Sequence, residues 1–255
     1  MTSNSSEQEP EAYFGDRRVA ADEKASLVGR VFSSVAGRYD LMNDLMSGGL
    51  HRLWKDSLID SLAPRPGMTL LDVAGGTGDI ALRFLDAVNG DGRVTLVDIN
   101  PDMLAAGEGR AGRHDDSAHI RRICGDAESL PLPAGGYDAY SIAFGLRNVT
   151  DMDAALRDAY RVLRHGGRFL CLEFCPTPAL PLLDRVYRMY SDRVIPQLGQ
   201  WVAGDAESYR YLVESIRRFP APDAFAARIS AAGFSRVRHR LLTGGICAIH
   251  SGWKV

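Results

Sequence analysis

Four cysteines are all that this 255-residue chain carries, at positions 124, 171, 175 and 247. None of them has the paired C-x-x-C spacing of a structural zinc site or a redox motif, so no metal site is readable and a disulfide scaffold is excluded. An excess of charge is missing too: 30 Lys and Arg stand against 32 Asp and Glu, for a formal net charge of −2. A protein built mainly to grip nucleic acid would show a basic excess or stripe. No run approaches the roughly 18 apolar residues of a membrane-spanning helix. The N-terminal segment MTSNSSEQEPEAYFGDRR lacks the apolar core of a secretory signal. The expectation is a soluble, cytoplasmic globular protein. Hydrophobic residues make up 45% of the chain, ample for a packed core at this length.

Residues 1–20 are rich in Ser, Glu and Asn without periodicity and read as a disordered arm. Residues 21–255 read as one domain with no internal repeat and no linker. Its first part, 21–65, is an N-terminal helical lid. Leu27, Val28, Val31, Phe32 and Val35 recur at helical spacing, then Leu50, Trp54, Leu58 and Leu62, with Pro64 as a stop. Short apolar runs then alternate with helical patterns. Strands are expected at Met68–Val73, Arg93–Val97, His119–Cys124, Tyr137–Ala143 and Arg168–Glu173, with helices after Gly78, from Pro101 and over Asp151–Leu163. That rhythm predicts a mostly parallel sheet covered on both faces. Residues 179–219 break it with a helical insertion. A helix over Pro222–Ala232 and a hairpin around Thr243, Gly244 and Gly245 close the chain.

The sharpest local feature is the run LDVAGGTGDIA over 71–81, where a strand enters glycines and leaves as a helix. Backbone without side chains lets a ligand approach closely. Gly76, Gly78 and Ala81 fit the dinucleotide pattern G-x-G-x-x-G/A, and Asp98 stands 20 residues beyond Gly78, where a carboxylate accepts ribose hydroxyls. Acidic Asp72 and Asp79 flank the glycines and oppose a pyrophosphate, which favours a ligand carrying an ammonium and a sulfonium. Asp126, in GDAESLPLP over 125–133, is placed to read an adenine edge. Asp72, Asp98 and Asp126 thus share the carboxyl edge of one sheet and point to S-adenosylmethionine. An NAD-dependent oxidoreductase is the competing reading, favoured by the literal glycine pattern.

The run LDVAGGTG over 71–78, Asp98 and the turn of Gly125, Asp126 and Ala127 resemble class I S-adenosylmethionine-dependent methyltransferases. Further segments resemble the ubiquinone/menaquinone biosynthesis C-methyltransferase family: YDLMNDLMSGGLHRLWK over 39–55, FGLRNVTD over 144–151, RVLRHGGR over 161–168 and DAESYRYL over 205–212. The resemblance covers roughly residues 28–255. The chain departs from it at His165, where many members have Pro, and at Ala143, where members often carry Ser. The resemblance implies an α/β, Rossmann-like fold with a mostly parallel seven-stranded sheet and a C-terminal hairpin. It implies a cofactor site of Asp72, Gly75, Gly76, Thr77, Gly78, Asp98, Ile99, Asp126, Ala127 and Ala143.

What the resemblance implies chemically is C-methylation of a polyprenylated quinol ring, a methoxy-benzoquinol or demethylmenaquinol. Arg147 and Asn148 are then the polar groups expected nearest the ring, with Arg147 stabilising phenolate charge or positioning a water, and Tyr39 closing over the methionine end. His51, beside Trp54 on one helix, reads as structural. Cys171 and Cys175 read as small buried hydrophobes around Glu173. Tyr187, Met189, Tyr190 and Trp201 suit either a groove for an isoprenoid tail or a helical core. Arg185, Arg188, Arg193, Arg217 and Arg218 suit anionic lipid headgroups or a solvated face. Expected partners are the quinol, peripheral contact with the inner face of the membrane, a quinone-biosynthesis complex and a homo-oligomer, with no nucleic acid. The alternatives are a methyltransferase of the same fold acting on another phenolic or lipid-like acceptor, and a non-catalytic cofactor-binding subunit.

Overall fold

The computed structural model describes residues 11–35, 43–44, 47–108, 118–177 and 206–255. In chain order, β1 (Glu11–Phe14) and β2 (Arg17–Ala20) precede α1 (Ala21–Val35) and α2 (His51–Leu62). Then follow β3 (Met68–Val73), α3 (Asp79–Ala87), β4 (Gly92–Asp98), α4 (Pro101–Ala106), β5 (Ile120–Cys124) and β6 (Tyr137–Ala143). A 3-10 turn at Leu146–Asn148 leads to α5 (Met152–Val162) and β7 (Leu163–Phe174). The chain ends with α6 (Ala206–Arg218), α7 (Pro222–Ala231), β8 (Ser235–Leu242) and β9 (Cys247–Trp253).

Seven strands form one sheet in the order β5-β4-β3-β6-β7-β9-β8. Strands β3 to β7 run parallel, and β9 is antiparallel to both β7 and β8. The expected fold class, with its C-terminal hairpin, is the one observed. The central strands read as nearly unbroken apolar runs because both faces are covered. On one face Leu70, Leu96 and Leu170 pack with α2 and α3; on the other Leu71, Val97, Ile142 and Phe169 pack with α5 and α7. Edge strand β8 alternates exposed with half-buried positions and carries Arg236, Arg238 and Arg240, which discourages further strand addition.

The expectation of a disordered arm over 1–20 needs correction in its second half. Residues 11–20 form an antiparallel hairpin, Glu11 pairing with Ala20 and Phe14 with Arg17. Its strands hold because Ala12, Phe14 and Val19 are buried in the same core as Val28 of α1 and Tyr209, Tyr211 and Leu212 of α6. The expected lid over 21–65 is helical in α1 and α2. Of the expected insertion over 179–219, α6 is observed and 179–205 lie outside the described residues.

What the topology does for function is set at β3. The chain winds outward from β3 through β4 and β5, then returns to place β6 on its other side. Loops leaving β3 and β6 therefore diverge and open a crevice at the carboxyl ends of the strands, the place where such sheets bind ligands.

Candidate active site

The turn after β3 is shaped by what it touches. A Cβ on Gly75 would lie 2.8 Å from Leu96 Cγ and 2.9 Å from Asp72 Oδ2. One on Gly76, whose φ is +54°, would lie 2.9 Å from Met103 Cε. Glycine is favoured at Gly75 by close approach and at Gly76 by the left-handed backbone, since the Met103 methyl at the end of a flexible side chain can give way. The amide of Gly76 donates to Asp98 Oδ2 at 2.9 Å, and the amide of Asn100 donates to Asp98 Oδ1, also at 2.9 Å. Both carboxylate oxygens are thereby oriented, each with acceptor capacity left over. Burial pushes the Asp98 carboxyl up, while those two amides pull it back.

Asn100 was not among the expected site residues, although the Asn-Pro pair is a helix-start signal. Its Oδ1 accepts from the amides of Asp102 and Met103 and caps α4, with Pro101 in the first turn. Its Nδ2 donates to Gly29 O and Ser33 Oγ, both at 3.0 Å, and so ties α1 across the end of β4. The result is a cleft of about 810 Å³. Of the expected residues, Gly76, Asp98, Ile99, Asp126, Ala127 and Asn148 line it. Walls that sequence reasoning missed come from Val28, Gly29 and Phe32 of α1, from Asn100, and from Phe144 and Gly145 after β6. The signal for α1 was its apolar stripe, which reads equally well as core.

Asp72, Gly75, Thr77 and Gly78 lie under or beside the cleft, and Ala143 packs against the core while its neighbours Phe144 and Gly145 line the wall. Asp72 is 1% exposed. Ser141 Oγ donates to its Oδ1 at 2.7 Å, but Oδ2 has no hydrogen-bond partner among the described residues. Burial pushes this carboxyl up to about 7, against the pull of Ser141 and Lys55. A buried acceptor left over beside a glycine cradle fits a cationic group brought by a ligand.

The role given to Asp79 needs correction. Lys55 Nζ donates to its Oδ2 at 2.8 Å and Arg83 Nε to its Oδ1 at 2.9 Å. Burial opposes its ionisation, yet Lys55 and Arg83 together hold it down to about 2. A doubly paired carboxylate adds little repulsion toward a phosphate, so the preference for a cationic ligand rests on Asp72. Asp126 is exposed at the rim, its Oδ1 accepting from the amide of Glu128 at 2.9 Å, and Ala127 is buried beneath it.

On the opposite side of the cleft, Asn148 lines the wall, and of the two expected catalytic residues that are described, Arg147 does not. Arg147 lines a separate, wider recess shared with Lys24 and Tyr211. Its Nη1 donates to Glu173 Oε1 at 2.8 Å and to Phe144 O at 2.6 Å, with the two side chains only 4% and 1% exposed. It is a buried ion-pair arginine that clamps the turn after β6. Burial pushes the Glu173 carboxyl up, with Arg147 opposing. Tyr39 lies outside the described residues, as do Tyr187, Met189, Tyr190, Trp201, Arg185, Arg188 and Arg193. His51 is buried on α2 with Nε2 2.9 Å from Asp44 Oδ1, and burial, helped by Lys55, pulls its pKa down. Among the described residues no cluster of His, Cys, Asp and Glu fits a metal ion.

The model of the ubiE/COQ5 methyltransferase family matches residues 18–254. The chain belongs to this family. A ubiquinone/menaquinone biosynthesis C-methyltransferase UbiE of Methylobacterium nodulans is 62% identical, over 95% of this chain and 96% of that protein. A protein of the same name from a Bradyrhizobium species is 56% identical over 95% of this chain and 97% of its own length. Among solved structures, an S-adenosylmethionine-dependent methyltransferase of Thermotoga maritima superimposes with a TM-score of 0.61 at 18% identity, covering 89% of this chain and 99% of that one. At that identity the likeness shows the fold. As a member of the ubiE/COQ5 family the chain is a methyltransferase, and its glycine turn, Asp98 and unpartnered Asp72 oxygen fit the methyl donor expected from the sequence.

Proposed function

We propose that the chain transfers a methyl group from S-adenosylmethionine to a ring carbon of a polyprenylated quinol, as in ubiquinone and/or menaquinone biosynthesis. The observation that carries this reading is the 62% identity, over 95% of the chain, to a relative named for that C-methylation. The cofactor supplies an electrophilic methyl on a sulfonium that is its own leaving group. The chain's residues then have few tasks: to hold the donor, to align an electron-rich ring carbon with the methyl group, and to keep water away.

In this reading the Asp98 carboxylate accepts the ribose hydroxyls, Asp72 Oδ2 accepts from the ammonium, and Asp126 with the amide of Ala127 reads the adenine edge. Gly75, Gly76, Thr77 and Gly78 let the backbone approach, Ile99 covers the adenosine, and Ala143 backs the wall. Asn148 faces the acceptor ring, Tyr39 closes over the methionine end, and Arg147 sets the turn that carries Asn148. A guanidinium carries donors and no acceptor, and this one is engaged with Glu173, so Arg147 is not a base. The isoprenoid tail is insoluble in water, so the reaction takes place in peripheral contact with a membrane, with the insertion over 179–219 as the contacting segment. Among the described residues no helix is long and apolar enough to cross one.

Methyl transfer from labelled cofactor to a short-tailed demethyl-benzoquinol and to demethylmenaquinol tests the reading. Label on either ring carbon, with one S-adenosylhomocysteine per methyl, is the expected result. Cofactor binding with no transfer to either ring would make the chain a non-catalytic subunit, and transfer only to a simpler phenol would replace the substrate. Flotation with anionic liposomes, with and without prenylated acceptor, tests the membrane arm; no association in either case contradicts it.

A further inference from the structure

The wall that carries Asn148 is held from parts of the chain far away in sequence. Tyr211 Oη, on α6, donates to Asn148 Oδ1 at 2.9 Å. Among the described residues the Nδ2 of Asn148 has no hydrogen-bond partner, and the residue lines the cleft. An amide whose oxygen is already engaged by a hydroxyl presents its N–H donors to whatever occupies the cleft. Tyr211 is itself fixed. Its ring stacks on Phe14 of the N-terminal hairpin with centroids 4.2 Å apart and planes 12° from parallel. The hairpin in turn is locked to α6: the amide of Asp16 donates to Glu214 Oε2 at 3.1 Å, and Arg218 pairs with Asp16 and lies over the Tyr13 ring.

We infer that Tyr211 is a positioning residue for methyl transfer, holding the Asn148 amide so that Nδ2 donates to a ring oxygen of the acceptor, and that the N-terminal hairpin sets Tyr211 in place. A donor at that oxygen favours the phenolate character that makes the ring carbon nucleophilic, because an oriented hydrogen bond stabilises charge without reorganising. Burial pushes the Tyr211 hydroxyl up, so it stays a neutral donor at physiological pH. The inference rests on the assignment of Asn148 to the acceptor side.

Full-length variants test it: Tyr211→Phe, Asn148→Ala, the double variant, Asn148→Asp, and Phe14→Leu alone and with Asn148→Ala. Tyr211→Phe keeps the ring on Phe14 and removes only the hydroxyl. It is expected to lower kcat about tenfold, with S-adenosylhomocysteine affinity and Tm unchanged, and to add nothing in the Asn148→Ala background. Asn148→Asp keeps an acceptor for Tyr211 and replaces the amide donor by a negative charge, so its kcat falls at least as far as that of Asn148→Ala. Phe14→Leu should lower kcat about threefold, again only when Asn148 is present. A normal kcat in Tyr211→Phe with a slow Asn148→Ala, or additive losses in the double variant, overturns the inference and leaves the assignment of Asn148 standing. A normal kcat in Asn148→Ala overturns that assignment and the inference with it. A normal kcat in Phe14→Leu overturns the part given to the hairpin.

Discussion

Gly76 and Asp98 line the cleft and Asp72 lies buried beside it, all from a single β-α-β unit, whereas Asn148 is held from Tyr211, from Arg147 with its partner Glu173, and from Lys24, whose Nζ donates to Val149 O at 2.7 Å. In the proposed reading the donor side is thus made of neighbouring residues, two carboxylates and a glycine backbone from one stretch of chain. The opposite side is made of side chains that only the finished tertiary structure brings together. The difference teaches where each kind of damage should appear. Changes on the first side should show in cofactor affinity, and changes on the second in the rate of transfer at saturating cofactor.

The largest effect should come from Asp98→Ala. It removes the acceptor of two buried backbone amides and, in the proposed reading, of the ribose, at a cost of about 2–3 kcal/mol, or roughly 30- to 150-fold in S-adenosylhomocysteine affinity by calorimetry. Gly75→Ala should follow: with Leu96 and Asp72 both inside contact distance, stability should drop by about 1–3 kcal/mol in denaturant unfolding.

Asp72 sharpens the contrast through pH. Its carboxyl titrates at about 7 in the folded chain and near about 4 unfolded, so the folded state holds the extra proton between these values. Its contribution to stability is therefore whole below about pH 4 and lost as pH rises through 7. A cationic ligand reverses the preference and expels that proton. Cofactor affinity should then weaken as pH falls below 7, by up to about tenfold per unit, with proton release seen by calorimetry in two buffers. Asp72→Asn should abolish both the release and the pH dependence. The smallest effect concerns the thiols. Cys124 is exposed while Cys171, Cys175 and Cys247 are buried, so an aromatic disulfide reagent should label one thiol rapidly in the native protein and the other three only on unfolding.

The same contrast explains what was legible in the sequence. The alternation of strands and helices, the glycine turn and Asp98 are local patterns, and the sheet and the donor side follow from them. Asn148 came from a contiguous motif, but its partner Tyr211 did not, since no spacing rule connects residues 148 and 211. The hairpin over 11–20 was hidden for a related reason. Gly15 and Asp16 between two short runs are a hairpin signal, yet Arg17 and Arg18 and the polar segment before them made it read as an arm. Its strands depend on packing against α1 and α6 more than on their own hydrophobicity. The acidity assigned to the glycine turn went astray at Asp79 because Lys55, on α2, supplies its counter-charge from a separate element.

Single-turnover methyl transfer by Asn148→Ala, measured at saturating S-adenosylmethionine with a short-tailed demethylquinol, tests the division between the two sides most directly. The account predicts that the cofactor saturates at wild-type concentrations while the transfer rate falls at least about tenfold. A wild-type rate at saturation, with the loss appearing only in cofactor affinity, would contradict it.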